Sequence, residues 1–322
     1  MWKTIVRRIL ILIPQMFVLS VFLFLLAERM PGDALTGMID PTTTRPERLE
    51  ELRHQYGFYD PWHVKYTRWI GNAVRGDFGR SFYHKLPVTR IIADRAANTF
   101  WLGLLTVLLI YLIAIPLGIT SGRFHDKPPD RAISFYSYFA MATPTIVLAL
   151  FLIPLFAFRL GWFPFGGSVD PRAFSQGGIH YFLSRLHHML LPAMTAALVS
   201  TAYIIQYLRS EIVDYEQSDF VTTARSKGVP QRQIYSRHIF RNALIPVASF
   251  VGYSITGVLS GSVLLETIYS YPGMGELFVS SITLRDYPVA NALILLFAVL
   301  VVTGTLLSDI ILRIVDPRLK IK

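Results

Sequence analysis

The chain has 322 residues, of which 52% are hydrophobic and only 16% charged, with a mean hydropathy of +0.44, more apolar surface than a soluble protein of this size can bury. It contains no cysteine, which excludes disulfides, thiol catalysis and cysteine-ligated zinc or iron–sulfur centres. The net charge of +10 is parcelled out between apolar runs and forms no single stripe, so nucleic acid is not the expected partner.

A bilayer core about 30 Å thick needs about 20 apolar residues per crossing helix. Six runs approach that length: Ile9 to Ala27, Phe100 to Gly122, Ile133 to Phe158, Leu190 to Tyr207, Ala243 to Leu265 and Val289 to Leu312. The first follows Lys3, Arg7 and Arg8 as a secretory signal would. It is longer than the usual apolar signal region, and Leu25 and Ala27 make a poor cleavage site, so it reads as a retained helix.

The segment between the first two runs carries helical signals of its own. Thr44 and Glu47 have capping-box spacing ahead of Leu49, Leu52 and Tyr56, and Gly57 closes that helix. Asp60 is expected to cap a second helix with Pro61 at its first position, Trp62, Tyr66, Trp69, Ala73 and Val74 on one face, and Gly76 and Gly79 at its end. That face suits packing on the membrane helices; a cap over the outer mouth is the other reading. Between Arg159 and His188, Gly161, Pro164, Gly166 and Gly167 predict repeated turns at the outer interface, with Trp162 in its aromatic belt. Pro272-Gly273 in the last outer loop suits a type II turn.

Threading six helices in order puts four basic clusters on one side. They are Lys3, Arg7 and Arg8; Arg123, Lys127 and Arg131; the fourth loop from Arg209 to Arg241; and the tail from Arg313 to Lys322. The positive-inside rule then makes both termini and loops two and four cytoplasmic. The first loop exceeds the length over which that rule counts charge.

Proton-coupled transporters keep an ionisable group inside the membrane despite its cost, and none lies mid-span here. Glu266, Asp309 and Arg313 sit near span ends, where snorkelling is the ordinary explanation. No Gly-x-x-x-x-Gly-Lys-Ser/Thr phosphate loop occurs. Energy for active transport would have to arrive through a partner. Loop four offers a place for it: Ser218 or Asp219 can cap a short helix from Phe220 to Lys227, Gly228 can end it in the left-handed conformation, and Pro230 stops it resuming. Phe220, Thr223, Ala224 and Lys227 share one side, which fits a helix lying in another protein's groove; an ordinary basic loop explains the charge equally well. His187 and His188 are adjacent and lack helical zinc spacing, so they read as interfacial or loop residues. Ser254, Thr256, Ser260 and Ser262 suit either a wet pathway or close helix packing.

The stretch from Asp219 to Gly228, followed by Arg237 to Pro246, resembles the coupling loop of permeases in peptide and nickel importers of the ATP-binding-cassette class. Pro31-Gly32-Asp33, Gly76 to Gly79, Leu160 to Pro164, Tyr271 to Gly275, Arg285 to Pro288 and Val315 to Arg318 look like that family's first permease subunit. Thr222 and Thr223 depart from the general importer signature, and Pro246 comes later than its proline; peptide-type permeases share both variations. The resemblance implies an all-α integral membrane protein of six transmembrane helices, the type I importer permease fold, with a small helical extracytoplasmic subdomain between helices 1 and 2. Its expected divisions are 1–27, the outer loop 28–98, the permease core 99–314 with coupling loop 208–242, and the tail 315–322.

The same resemblance assigns ATPase docking to Asp219, Phe220, Thr223, Ala224, Arg225, Lys227 and Gly228, with support from His238, Arg241 and Asn242. His238 could sense pH or simply touch the ATPase or lipid phosphate. Implied partners are a second permease, two ATPases, an extracytoplasmic solute-binding protein, the bilayer and a peptide cargo carried by alternating access. No catalytic residue, metal or cofactor is expected on this chain, since ATP and magnesium belong to the ATPases. The expected location is the bacterial inner membrane. Nickel or oligosaccharide cargo is the alternative within the fold. Outside it stand a self-sufficient channel or secondary transporter and an intramembrane enzyme, against which the uncharged spans and missing metal motif argue.

Overall fold

The computed structural model describes residues 2–29, 46–55, 57, 59–260 and 262–315. In chain order the helices are α1 (Trp2–Glu28), α2 (Pro46–Gln55), α3 (Trp62–Val74), α4 (Val88–Arg123), α5 (Pro128–Ala142), α6 (Thr145–Leu152), α7 (Pro171–Gln176) and α8 (Gly178–Glu216). There follow α9 (Asp219–Ser226), α10 (Gln231–Gln233), α11 (Phe240–Ser260), α12 (Val263–Ile268), α13 (Met274–Thr283) and α14 (Tyr287–Val315). Wider π-helical turns continue α6 over Ile153–Arg159 and link α10 to α11 over Ile234–Ile239. Apart from one antiparallel bridge, Arg80 to Pro87, the described residues are helices and loops. The chain divides into two compact units, Met1–Thr99 with Pro272–Thr303, and Phe100–Tyr271 with Gly304–Lys322.

In the first unit α3 packs on α1. Tyr66 is buried, its hydroxyl lies 2.8 Å from Ser20 Oγ, and Ser20 in turn donates to the Phe17 carbonyl. Phe24 meets the Tyr66 ring edge-on, and Lys65 pairs with Glu28 at 2.5 Å. The apolar face of α3 is therefore packing surface on a membrane helix, although Trp62 and Val74 remain exposed. Asp60 does not cap α3: its carboxylate is paired with Arg68 at 2.8 Å, and Pro61 occupies the cap position. Thr44 and Tyr56 lie outside the described residues. The start of α4 packs on α13 and α14, with Val88, Ile91 and Ile92 against Met274, Leu277, Val289 and Leu293. Asp286 accepts from the Ser81 hydroxyl and from the Phe82 N–H at 2.9 Å, tying the turn before α4 to the start of α14. The expected type II turn at Pro272-Gly273 is absent. Gly273 has φ −104 where that turn needs a positive value, because it is already the cap of α13, whose first N–H, from Met274, reaches Thr99 Oγ1 at 2.8 Å.

In the second unit α8 is the central element, 39 residues long, with Thr201, Ile205, Leu208 and Ile212 buried along one side. Two glycines of α4 bring it close: a Cβ at Gly118 would lie 3.0 Å from that of Leu208, and one at Gly122 2.7 Å from that of Ile212. Gly103 likewise admits the backbone of α11, with Val258 Cα 2.7 Å from where its Cβ would stand.

All six apolar runs are largely helical, but three differ from straight spans of the expected length. The third bends by 100° between α5 and α6. Pro144 has no N–H to donate and forces Thr143 out of the helical region, to φ −93 and ψ 116. The fourth begins at Gly178, well before Leu190, so part of the expected outer loop belongs to α8. The fifth is divided, and α12 restarts after Ser262, whose Oγ accepts from Leu265 N–H at 3.4 Å. Among the described residues α4, α8 and α14 are each long and apolar enough to cross a membrane, and α5 with α6 would make a bent fourth span; Ile13–Leu26 is shorter.

Candidate functional site

Between α8 and α11 the chain builds the short helix that the sequence predicts, one residue earlier, over Asp219–Ser226. Ser218 has the extended backbone of a cap residue, but its hydroxyl donates to the Tyr215 carbonyl at 2.6 Å, so no side chain caps the helix. At the other end Gly228 takes φ +73, its N–H reaching Arg225 O and that of Val229 reaching Ala224 O at 3.1 Å. This is the left-handed closure expected of glycine there.

The helix is seated, not suspended. Val221 is 0% and Ala224 7% exposed, both packed with Ile212, Ile234, Ile239 and Ala243. On the outside are Asp219, Phe220, Thr222, Thr223, Arg225, Ser226 and Lys227. The expected docking set therefore splits: Asp219, Phe220, Thr223, Arg225, Lys227 and Gly228 are exposed, whereas Ala224 belongs to the seat.

Sequence reasoning missed two groups, of which the first braces the loop around α9. Glu216 Oε1 accepts both from Arg225 Nη2 and from the Tyr235 hydroxyl, each at 2.9 Å. The Arg123 guanidinium lies over the Tyr235 ring, 5.5 Å from its centre. Burial, with the Glu216 carboxylate as second cause, pushes the Tyr235 phenol up to about 12. His238 is half-buried on the π-helical turn and its carbonyl accepts from Asn242 Nδ2 at 2.6 Å; Arg241 is exposed.

The second missed group is Asp130, buried in the cluster of basic residues of loop two. Arg209 grips it with two bonds, Nε to Oδ1 at 2.6 Å and Nη2 to Oδ2 at 2.8 Å. The Ser121 hydroxyl and the Asp126 N–H add bonds of 2.5 and 2.8 Å. Arg209 above all, with these other donors, holds the carboxyl well below the usual carboxylate range. His125 and Asp126 lie close enough to share an ion with Asp130, but its oxygens already serve a guanidinium, a hydroxyl and an amide. The one sequence signal was a carboxylate between Lys127 and Arg131.

Other expected site residues have structural places. Ser254 donates to the Phe250 carbonyl and accepts from the Tyr111 hydroxyl at 3.0 Å, which ties α11 to α4. Ser262 caps α12, and the side chains of Thr256 and Ser260 lie outside the described residues. Glu266 does not snorkel: it is fully buried, and its backbone carbonyl accepts from the Tyr271 N–H at 2.8 Å. Asp309 and Arg313 side chains lie outside the described residues. His187 and His188 stand on α8 rather than in a loop, each bound to a backbone carbonyl, of Trp162 and Ser184.

Comparison with known proteins turns this geometry into a family. The profile described as "Binding-protein-dependent transport system inner membrane component" matches residues 114–321. The chain belongs to that family. A companion profile for the N-terminal part of such components matches residues 1–103. Over 98% of both chains it is 38% identical to the oligopeptide transport system permease protein AppB of Bacillus subtilis. It is 31% identical, over the whole of both chains, to the glutathione transport system permease protein GsiC of Escherichia coli K12. In fold it is similar to a chain of the MetNI methionine ABC transporter in an inward-facing conformation, at TM-score 0.56 and 14% identity, covering 70% of this chain and 96% of that one. The all-α fold of an ABC importer permease follows, and with it a multi-pass inner-membrane transport subunit whose ATP hydrolysis is done by partner subunits.

Proposed function

We propose that this permease forms half of the pathway through which a peptide importer moves its cargo. A second permease supplies the other half, two ATPases drive it, and an extracytoplasmic solute-binding protein delivers peptide. The names of the relatives support the cargo. ATP and magnesium stay on the ATPases, and this chain holds neither. The observation that carries the mechanism is α9: a two-turn helix with an exposed polar face on a rigid, fully buried seat. Such a unit transmits displacement into α8 and α11, where a free loop would absorb it.

In this reading Asp219, Phe220, Thr223, Arg225, Lys227 and Gly228 meet the ATPase, and Ala224 sets their height. His238, Arg241 and Asn242 support the loop. Residues 28–98 lie outside the cell membrane, residues 99–314 form the core, and both termini are cytoplasmic. The test is Thr223→Arg in the assembled transporter. It is expected to leave assembly of the two permeases and thermal stability unchanged while ATP-driven uptake of a peptide falls at least about tenfold, since hot-spot disruption costs about 2 kcal/mol or more. Undiminished uptake would overturn the docking role of this face.

A further inference from the structure

The spanning helices differ in what they expose. From Phe100 to Pro116 the open face of α4 is apolar, with Trp101, Leu104, Leu108 and Leu112, as lipid or a dry helix contact requires. On α8 the face changes along its length. Ile179, Phe182 and Leu183 are exposed early, whereas Ser200, Tyr203, Tyr207, Ser210 and Asp214 are exposed later, spaced by three and four residues and so aligned on one side. The opposite side of the same turns is Thr201, Ile205, Leu208 and Ile212, all buried. Exposure is ample, 56% at Tyr203.

Lipid contact would strand the hydroxyls of Ser200, Tyr203 and Ser210, whereas Tyr207 already has Glu211 as hydrogen-bond partner and the Phe250 ring against its own. A second observation comes from the same turn: the Nε2 of Gln206 is buried and has no hydrogen-bond partner. An unsatisfied amide within hydrocarbon costs several kcal/mol, so a polar partner is expected there in the working protein. We propose that the Ser200–Tyr203–Tyr207–Ser210 face of α8 lines the water-filled path taken by the cargo, over the half of the membrane nearer α9. This rests on the importer-permease reading. It also deepens it, because from Ser200 to Ser210 the exposed side chains are hydroxyls and aromatic faces, with carboxylates only toward its end, at Glu211 and Asp214. Over that stretch the lining can hydrogen-bond a peptide backbone whatever the side chains attached to it, which leaves selection to the delivering protein. The face adjoins the drive: Arg209, one residue before Ser210, carries the grip on Asp130.

The chain has no cysteine, so a single introduced thiol is its only one. Ser200→Cys, Tyr203→Cys and Ser210→Cys, with Leu108→Cys on the apolar face of α4 as comparison, are placed in the complete transporter in inside-out vesicles. They are treated with a charged, membrane-impermeant maleimide, with and without ATP and vanadate. Labelling of the α8 thiols is expected to be at least about tenfold faster than at Leu108→Cys, as a charged reagent enters hydrocarbon only at a cost of several kcal/mol. It should depend on nucleotide, and modification at Tyr203→Cys should block uptake. Ser200→Cys is nearly isosteric and guards against a folding failure at the tyrosine. Protection of all three in every nucleotide state, in a complex that still hydrolyses ATP and transports, would overturn the proposal. So would their cross-linking to the second permease in place of labelling. Labelling as expected without peptide uptake would sink the peptide reading and leave the wet face standing.

Discussion

Asp130 is 2% exposed and keeps its charge inside the protein through the fork of Arg209. Removing one partner of a buried pair leaves the other uncompensated, which costs about 3–5 kcal/mol. Asp130→Ala is therefore expected to lower the melting midpoint of the purified transporter markedly, while Asp130→Glu recovers part of the loss. The sign of the pH dependence follows from the depressed carboxyl. Its stabilisation is complete above the unfolded carboxylate value, about 4, and is lost only as pH falls through the lower folded value. The wild-type advantage over Asp130→Asn should stay constant from pH 8 to about 5 and shrink below about 4, as thermal melts across that range would show. Gly228 gives a cleaner case. Open space surrounds its would-be Cβ, so the cost of a side chain lies in the φ of +73 alone. Gly228→Val should cost roughly 1–2 kcal/mol in a melt, and Gly228→Asn much less, since asparagine visits that region.

At the scale of elements, α9 has an inside and an outside that substitution separates. Val221→Asp puts a charge against Ile212 and Ile234 and should damage stability and coupling together. Thr223→Arg, on the open face, should damage coupling alone. Parallel melts and ATPase-to-uptake ratios distinguish the two. Ala224→Arg belongs with the first kind, although the sequence pattern groups Ala224 with the exposed residues. The helix and its glycine closure were legible in the sequence because they depend on neighbours within a few residues. Which side faces in was not, because the seat is made by Ile212, Ile234 and Ile239 from elements before and after it. A second prediction belongs to α4. Gly103→Ala would place a methyl against the Val258 backbone, which cannot step aside as a side chain can, so α4 and α11 must separate. Overpacking of that kind costs about 1–3 kcal/mol, readable as a lower melting midpoint, whereas Gly71→Ala, with nothing nearby, should be neutral.

At the scale of the molecule, α4 and α8 are longer than a membrane is thick. Their 36 and 39 residues span about 54 and 58 Å at 1.5 Å per residue, against a core of about 30 Å. α8 is thus long enough to project from the membrane, and its end past Arg209 leads straight into α9. The basic residues predict the direction: a reporter fused after Lys322 is expected on the cytoplasmic side and a tag within 28–98 on the outer side, scored by reagent access in intact cells. The reverse pattern would overturn the orientation.

The sequence by itself determined that this chain lives in a membrane, that six apolar runs are largely helical, that it carries no nucleotide loop, and, to within one residue, where the short helix of loop four starts and stops. These are local properties, set by composition, by periodicity and by proline and glycine at fixed offsets. The tertiary structure alone decided that Asp130 and Arg209, 79 residues apart, form one buried pair, that Asp286 satisfies the backbone of the turn at Ser81, and that Glu266 is buried instead of reaching for water. It also gave two of the expected hydroxyls, Ser254 and Ser262, hydrogen-bond partners within the fold. A hydroxyl on a membrane helix can cap, pack or face water, and only the position of its neighbours chooses among them. Ser254 is claimed by Phe250 and Tyr111, whereas Tyr203 stands open.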